Sequence, residues 1–446
     1  MSLEDKIQRF AIISAQACAT VNKQVLTSIL TYIKHKNAEL KILPMQGKHI
    51  NEDRMAKILH QYELIYGDLN LNSKIKIKDY KVKPQAIRPL TGLEPLVKGD
   101  RSAIIAGTKI NLRAVPNSKT RVAKLLMTTG ALTHPRYELR HRIGKIAQMD
   151  HEYGMIIVEV INKKKYHARY VEIQKNGKFY DLGTLYDGNN ITENQRISSL
   201  VIEPHVTCVD PKALEGTIKM INDLKPHKLF IHDLFNGSSI SHHNMNDIIE
   251  LHHYFGENKL SLETELKENA DFLKLMLNNM PSDSKIYIVA SNHNEFIDRY
   301  LGSGRFINEP QNLEIACDLL KSAFRGVPPL KEGLSYFMDI PDNVIFLNRG
   351  EDLRILGYYM NNHGDKGPNG ARGSPRGYDK NLEKSISGHG HTCYKYRHTI
   401  KIGTIAQLHQ RYNMGGQSNW SSTNGILHPN GKTQLINLVN GFYKGE

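Results

Sequence analysis

The chain has 446 residues, 40% apolar and 23% charged, with a formal net charge of +14. That length suits two or three domains, no run approaches the ~20 apolar residues of a membrane span, and the start, Met1-Ser2-Leu3-Glu4-Asp5-Lys6, has no signal-peptide core. Cys18, Cys208, Cys317 and Cys393 lie far apart with no CxxC pair, which excludes a disulfide scaffold and a thiolate zinc site and makes the cytoplasm the expected compartment.

The first elements read as an α/β unit. Arg9 to Ile13 is a buried strand, Ser14 to Thr20 a small-residue turn, Val21 to Lys36 a helix with apolar Val25, Ile29, Leu30 and Ile33, and Leu40 to Pro44 the next strand. Residues 46–100 are polar, and Pro84, Pro89 and Pro95 mark a connection. Ser102–Gly107, Lys124–Gly130, Met155–Val160 and Tyr166–Ile173 are further strands. Between them, residues 101–150 hold ten Lys/Arg against two Asp/Glu, including Arg136, Arg140, Arg142 and Lys145. The stretch is either a solvated face or a phosphate-binding one. Asp187-Gly188-Asn189-Asn190 is a turn cluster and the expected domain boundary.

Charge and histidine change across that boundary. Residues 1–190 carry 32 Lys/Arg against 17 Asp/Glu, a net of +15, whereas residues 191–446 carry 27 against 28, a net of −1. The step suggests a first part, 1–190, that meets a polyanion such as DNA, and a second, 191–446, with another task. Seven histidines precede residue 191 and 14 follow it, a first hint of metal chemistry.

In the second half, apolar runs lead into chemistry-bearing residues. Leu200-Val201-Ile202 precedes Glu203-Pro204-His205, and Lys228 to Ile231 precedes His232-Asp233-Leu234-Phe235-Asn236. Ile286 to Ala290 precedes Ser291-Asn292-His293-Asn294-Glu295. Ile355 to Met360 precedes Asn361-Asn362-His363-Gly364, and Ile386-Ser387 precedes Gly388-His389-Gly390-His391. Carboxylate, amide oxygen and imidazole without thiolate suit Mn²⁺, Fe²⁺ or Zn²⁺. Two such ions ~3.5–4 Å apart can clamp a phosphoryl group for in-line displacement.

The series E-P-H, H-D-L-F-N, S-N-H-N-E, N-H-G and G-H-G-H over residues 196–446 resembles the signature of the calcineurin-like metallophosphoesterases. With Ile12-Ile13-Ser14-Ala15-Gln16 and Thr128-Thr129-Gly130-Ala131-Leu132-Thr133, the whole chain is similar to the phage-encoded group that includes a pre-early DNA-degradation protein of phage T5. The resemblance implies an α/β fold, a calcineurin-like β-sandwich flanked by helices and preceded by the basic α/β domain. It implies a first metal on Glu203, His205, Asp233 and His391, and a second on Asn292, His363 and His389, with Asp233 bridging. His293 would act on the scissile phosphate and its leaving oxygen, with Glu295 or Asn294 as its acidic-position partner, Glu295 preferred. Glu203 stands where the family has Asp, and Ser291 where it has Gly.

The loop after His363 carries Lys366 and Arg372, either for a phosphate chain or as a plain surface loop. His232, His242, His243, His252 and His253 match no motif, and Trp420 is a core or lid residue or else a base-stacking platform. The function expected is DNA hydrolysis by a bridging hydroxide on two divalent ions, Mn²⁺ first, with Fe²⁺, Zn²⁺ or Mg²⁺ as alternatives. For a phage-encoded protein the setting would be the host cytoplasm and the process host DNA degradation. A phosphatase or phosphodiesterase for nucleotides or other small phosphoesters and a non-catalytic DNA-binding or DNA-transfer scaffold are the competing classes. DNA is the expected partner, and the oligomeric state stays open.

Overall fold

The computed structural model describes residues 7–49, 51–117, 124–241, 248–380, 383–410, 413 and 415–445. Four sheets form among them, and helices pack against the sheets, so the chain is α/β with mixed strand directions.

The first sheet is the expected α/β unit. Gln8–Gln16 is apolar on both faces and therefore central: it pairs in parallel with Ala38–Met45 and antiparallel with Tyr153–Val160, which pairs with Tyr166–Ile173. The helix Lys23–Lys36 joins the parallel pair. Asn22 caps it by accepting from the amides of Gln24 and Val25, and Asn37 ends it at φ 49°.

The second half is built on a six-stranded sheet in the order Val344–Phe346, Lys285–Ile288, Lys228–Ile231, Ser199–Ile202, Thr423–Leu427, Thr433–Asn437. Its first four strands run parallel with Ile202, Ile231 and Ile288 in register, so their C-terminal ends reach one edge together. Alternation divides their side chains. Leu200, Ile202, Leu229, Ile231, Ile286 and Ile288 face the helices Pro211–Leu224 and Leu262–Asn279 in one core. Val201, Phe230 and Tyr287 face the other way, into a core shared with Ile386, Ile400 and Ile402.

That second core lies under a ten-stranded sheet, and the chain's two halves meet there. Tyr394–Tyr396 pairs antiparallel with Asn111–Val115, joining Ser385–Ser387 and Thr399–Lys401 to Lys124–Thr128 and Ser102–Ile105. The strand Asn111–Val115 has no counterpart in the sequence reading. Residues 187–190, expected to separate two domains, form the hairpin turn between Thr184–Asp187 and Asn190–Thr192. Strands from both sides of residue 190 therefore share one sheet and one core. Among the described residues no helix is long and apolar enough to cross a membrane.

Candidate metal centre

The parallel strands of the six-stranded sheet deliver three of the five motifs to one edge. Glu203 and His205 follow Ser199–Ile202, Asp233 follows Lys228–Ile231, and Asn292 and His293 follow Lys285–Ile288. The ten-stranded sheet delivers the others: Tyr358–Tyr359 and Ser385–Ser387 run parallel, leading to His363 and to His389 and His391. Main-chain bonds lock the loops together. The His205 amide donates to the Asp233 carbonyl at 2.9 Å, and the Gly388 amide to the His363 carbonyl at 2.8 Å.

The residues converge as two sets that could each hold a metal ion. Glu203, His205, Asp233 and His391 form one, Asp233, His363 and His389 the other, with candidate ligand atoms within 4.8 Å of one another in each. Asp233 belongs to both. Asn292 joins the second set, its Oδ1 lying 2.9 Å from His363 Nε2. His363 Nε2 is 3.2 Å and His205 Nε2 3.3 Å from Asp233 Oδ2. His391 Nε2 is 2.9 Å from Glu203 Oε1 and 3.0 Å from His205 Nε2.

Three observations test whether these residues fit a cation. Both Asp233 oxygens and Glu203 Oε1 are buried without a well-formed hydrogen bond, the nearest groups to Asp233 Oδ2 and Glu203 Oε1 being imidazole nitrogens at 2.9–3.5 Å, and a carboxylate buried this way is costly unless a positive charge sits beside it. His205 and His391 point ring nitrogens at each other, an arrangement that needs a shared proton or a cation between the lone pairs. Finally, His205, Asp233, His389 and His391 have φ of 46°, 40°, 68° and 51°. Left-handed backbone costs a non-glycine residue about 1–3 kcal/mol and persists where surrounding structure over-determines it. The donor set fits a borderline-hard divalent ion.

The electrostatics follow from burial set against close partners. Burial opposes charge on Asp233, but His363, His293 and His205 outweigh it and hold the carboxyl well below its ordinary range. Burial likewise opposes ionisation of Glu203, and His391 and His205 overcome it, pulling the carboxyl down. His205 and His363 are raised, since Asp233 and Glu203 more than offset burial. His391 and His389 are lowered, with burial dominant.

Glu203 is accommodated by Gly388. The carboxylate accepts from the His389 amide through Oε2 at 2.6 Å, and a Cβ on Gly388 would overlap that oxygen. The extra methylene thus occupies room that a side-chain-free position provides. Ser291 also keeps its turn, its hydroxyl accepting from the Asn294 amide at 3.2 Å.

His293 lies beside the first set, its ring 4.6 Å from that of His205. Its Nδ1 donates to the Asn236 carbonyl at 2.7 Å, which leaves Nε2 free, and burial pushes the ring's pKa down to about 4. The expectation for its acidic partner is corrected here. Glu295 turns to Arg349, which also holds Asp365 through two bonds of 2.8 Å, and Asn294 instead braces the Phe235 amide and the Val289 carbonyl. The sequence reading missed Arg349, and it missed the role of Asn236, the last residue of the H-D-L-F-N run. Asn236 Oδ1 lies 3.1 Å from His205 Nδ1, so this one residue orients both imidazoles, His205 by side chain and His293 by carbonyl.

A cavity of about 350 Å³ opens beside the centre, lined by His293, His389, His391, Arg372, Lys401 and Trp420, among others. Trp420 packs its ring edge-on to His391 at 4.1 Å and walls the site. Lys366 and Arg372 bridge across their exposed loop, and only Arg372 lines this cavity. His232 is buried 3.3 Å from His363, ring nitrogen to ring nitrogen, whereas His252 and His253 are exposed. His242 and His243 lie outside the described residues.

The basic stretch stands apart from this cavity. Contrary to the expectation from the sequence, Arg136 is not a free phosphate-binding cation: both of its terminal guanidinium nitrogens donate to Glu52. Arg140, in the turn before the helix Arg142–Met149, and Arg142 and Lys145, in its first turn, are exposed and make no ion pair among the described residues.

No protein-family model matches the chain, and no solved structure matches it. It is similar to Protein A1 of Escherichia phage T5, 26% identical over 465 residues covering 97% of this chain and 82% of the relative. That likeness supports a relationship to a phage protein.

Proposed function

We propose that the chain is a metal-dependent phosphodiesterase that hydrolyses DNA. The convergence of Glu203, His205, Asp233, Asn292, His363, His389 and His391, drawn from five separate loops, is the observation that carries this reading. Two divalent ions, Mn²⁺ first for a set rich in imidazole, would supply a water of lowered pKa and neutralise charge on the phosphoryl oxygens.

The chain's own groups would do the rest. Asp233, shared by both sets, fixes their spacing, and Asn236 fixes the ring planes of His205 and His293. With Nδ1 committed to a carbonyl, His293 offers Nε2 to the substrate, where it can take a proton from, or return one to, an oxygen of the phosphoryl group. DNA is favoured as substrate by the +15 charge of residues 1–190 and by the exposed Arg140, Arg142 and Lys145, which suit long-range phosphate contact. In this reading, and given the phage relative, the DNA is that of an infected host.

The test is hydrolysis by protein stripped with a chelator and reloaded with Mn²⁺, Mg²⁺ or Zn²⁺, on linear and circular DNA and on a chromogenic phosphodiester. Mn²⁺ should restore hydrolysis of DNA and of the small diester, and Asp233→Asn should nearly abolish both. Turnover of the small diester with DNA left intact would make it a small-phosphoester enzyme. DNA binding without turnover under any metal would make it a scaffold.

A further inference from the structure

The cavity beside the metal centre contains a cation that the motifs do not include. Lys401 ends the strand Thr399–Lys401 and pairs in register with Ser387, two residues before His389. Its ammonium lies against Gly390, between His389 and His391, and a Cβ on Gly390 would overlap it. The glycine between the two histidines is therefore the seat of the ammonium.

Lys401 is also unusual in lacking a partner. The buried lysines Lys41, Lys109 and Lys395 each contact a carboxylate, of Glu63, Asp150 and Glu152 respectively. The Lys401 side chain is partly buried, and its ammonium makes no ion pair or hydrogen bond among the described residues. An enclosed cation without a counter-charge favours an incoming anion. Glu203 lies near enough to attract it, yet that carboxylate is occupied by the His389 amide and by His391. Lys401 lines the same cavity as His293 and the exposed Arg372.

We propose that Lys401 is the phosphate anchor of this site, its ammonium holding a non-bridging oxygen of the phosphoester beside the metal centre, an assignment that rests on the phosphodiesterase reading above. Arg372, on the exposed loop, stands where it can meet the next phosphate of a polymer, so the pair suits a phosphate chain better than an isolated phosphate. Lys401 binds substrate. It holds no metal and moves no proton.

The experiment compares wild type, Lys401→Met and Lys401→Arg as full-length, Mn²⁺-loaded protein. Calorimetric binding of inorganic phosphate and metal content are measured alongside KM and kcat on a chromogenic phosphodiester. Losing a charge-assisted hydrogen bond should weaken phosphate binding and raise KM by about 10- to 100-fold in Lys401→Met, with metal content and kcat little changed. Lys401→Arg should recover most of the phosphate affinity. Phosphate affinity within about twofold of wild type in a metal-loaded Lys401→Met would overturn the assignment. So would metal loss in both variants, which would make Lys401 a support of the centre. Phosphate binding is read without turnover, so a wild type that binds phosphate through Lys401 but hydrolyses nothing sinks the phosphodiesterase reading alone.

Discussion

His293 and Asn292 are sequence neighbours with different surroundings. Asn292 points its oxygen at His363 Nε2 in the second set, while His293 belongs to neither set and commits its Nδ1 to the Asn236 carbonyl. His293→Ala should therefore lower turnover by about 10²–10⁴-fold, the usual worth of positioned acid–base help, while metal content stays near wild type. Asn292→Ala should lose metal together with activity. Elemental analysis of the two variants side by side checks this, and equal metal loss in both would make His293 a ligand. At this scale the convergence of Glu203, His205, Asp233, His363, His389 and His391 was legible in the sequence, because each of these candidate ligands follows an apolar run that reads as a buried strand. The partners of Glu295 and His293 were not. Arg349 reaches Glu295 from 54 positions away, through an approach of two loops that no local pattern encodes.

The segment from Arg136 to Met149 shows how much an element's setting alters the meaning of its charges. Arg136 clamps the turn at Glu52, whereas Arg140, Arg142 and Lys145 face solvent without an ion pair among the described residues. Reversing the charge of those three should weaken DNA binding and flatten its salt dependence by about 0.9 in slope per lost phosphate contact, with the chromogenic diester hydrolysed as before. A filter-binding titration over salt reads the slope, and an unchanged slope would make the stretch a solvated face. The Glu52–Arg136 clamp belongs to acid stability instead. The bonds from Arg136 hold the Glu52 carboxyl down at about 2. A carboxyl lowered on folding contributes stability above its unfolded pKa of ~4.3 and loses it as pH falls through the folded value. Glu52→Gln should thus destabilise the protein at neutral pH, by less than about 1 kcal/mol for a partly exposed pair, and the difference should vanish towards pH 2. Denaturant midpoints for both proteins at several pH values test it; a gap constant with pH would show that Glu52 acts through packing.

At the scale of the whole molecule, the charge step at residue 190 does not coincide with a break in the fold. Asn111–Val115 lies in the basic half and Tyr394–Tyr396 in the histidine-rich half, yet they are adjacent strands, and the core beneath them takes Leu112, Leu125 and Met127 from one half and Val201, Phe230 and Ile386 from the other. Residues 191–446 produced alone should therefore aggregate or unfold without a cooperative transition, since they would bare the edge of Tyr394–Tyr396 and half of a buried core. A sharp calorimetric transition from that fragment would contradict this. The sequence could not reveal the joint: alternation identifies a strand, but a pairing across some 280 positions depends on register that only the folded sheets specify. The parallel strands that carry the candidate ligands were legible because hydrophobic runs and their polar ends are local.

The central claim is that two ions share Asp233, and anomalous diffraction from Mn²⁺-soaked crystals tests it most directly. Two manganese peaks ~3.5–4 Å apart are expected, one among Glu203, His205 and His391 and one among Asn292, His363 and His389, with the Asp233 carboxylate between them. Full occupancy by Mn²⁺ elsewhere with no peak at Asp233, or a single peak that leaves His363 and His389 without metal, would contradict it.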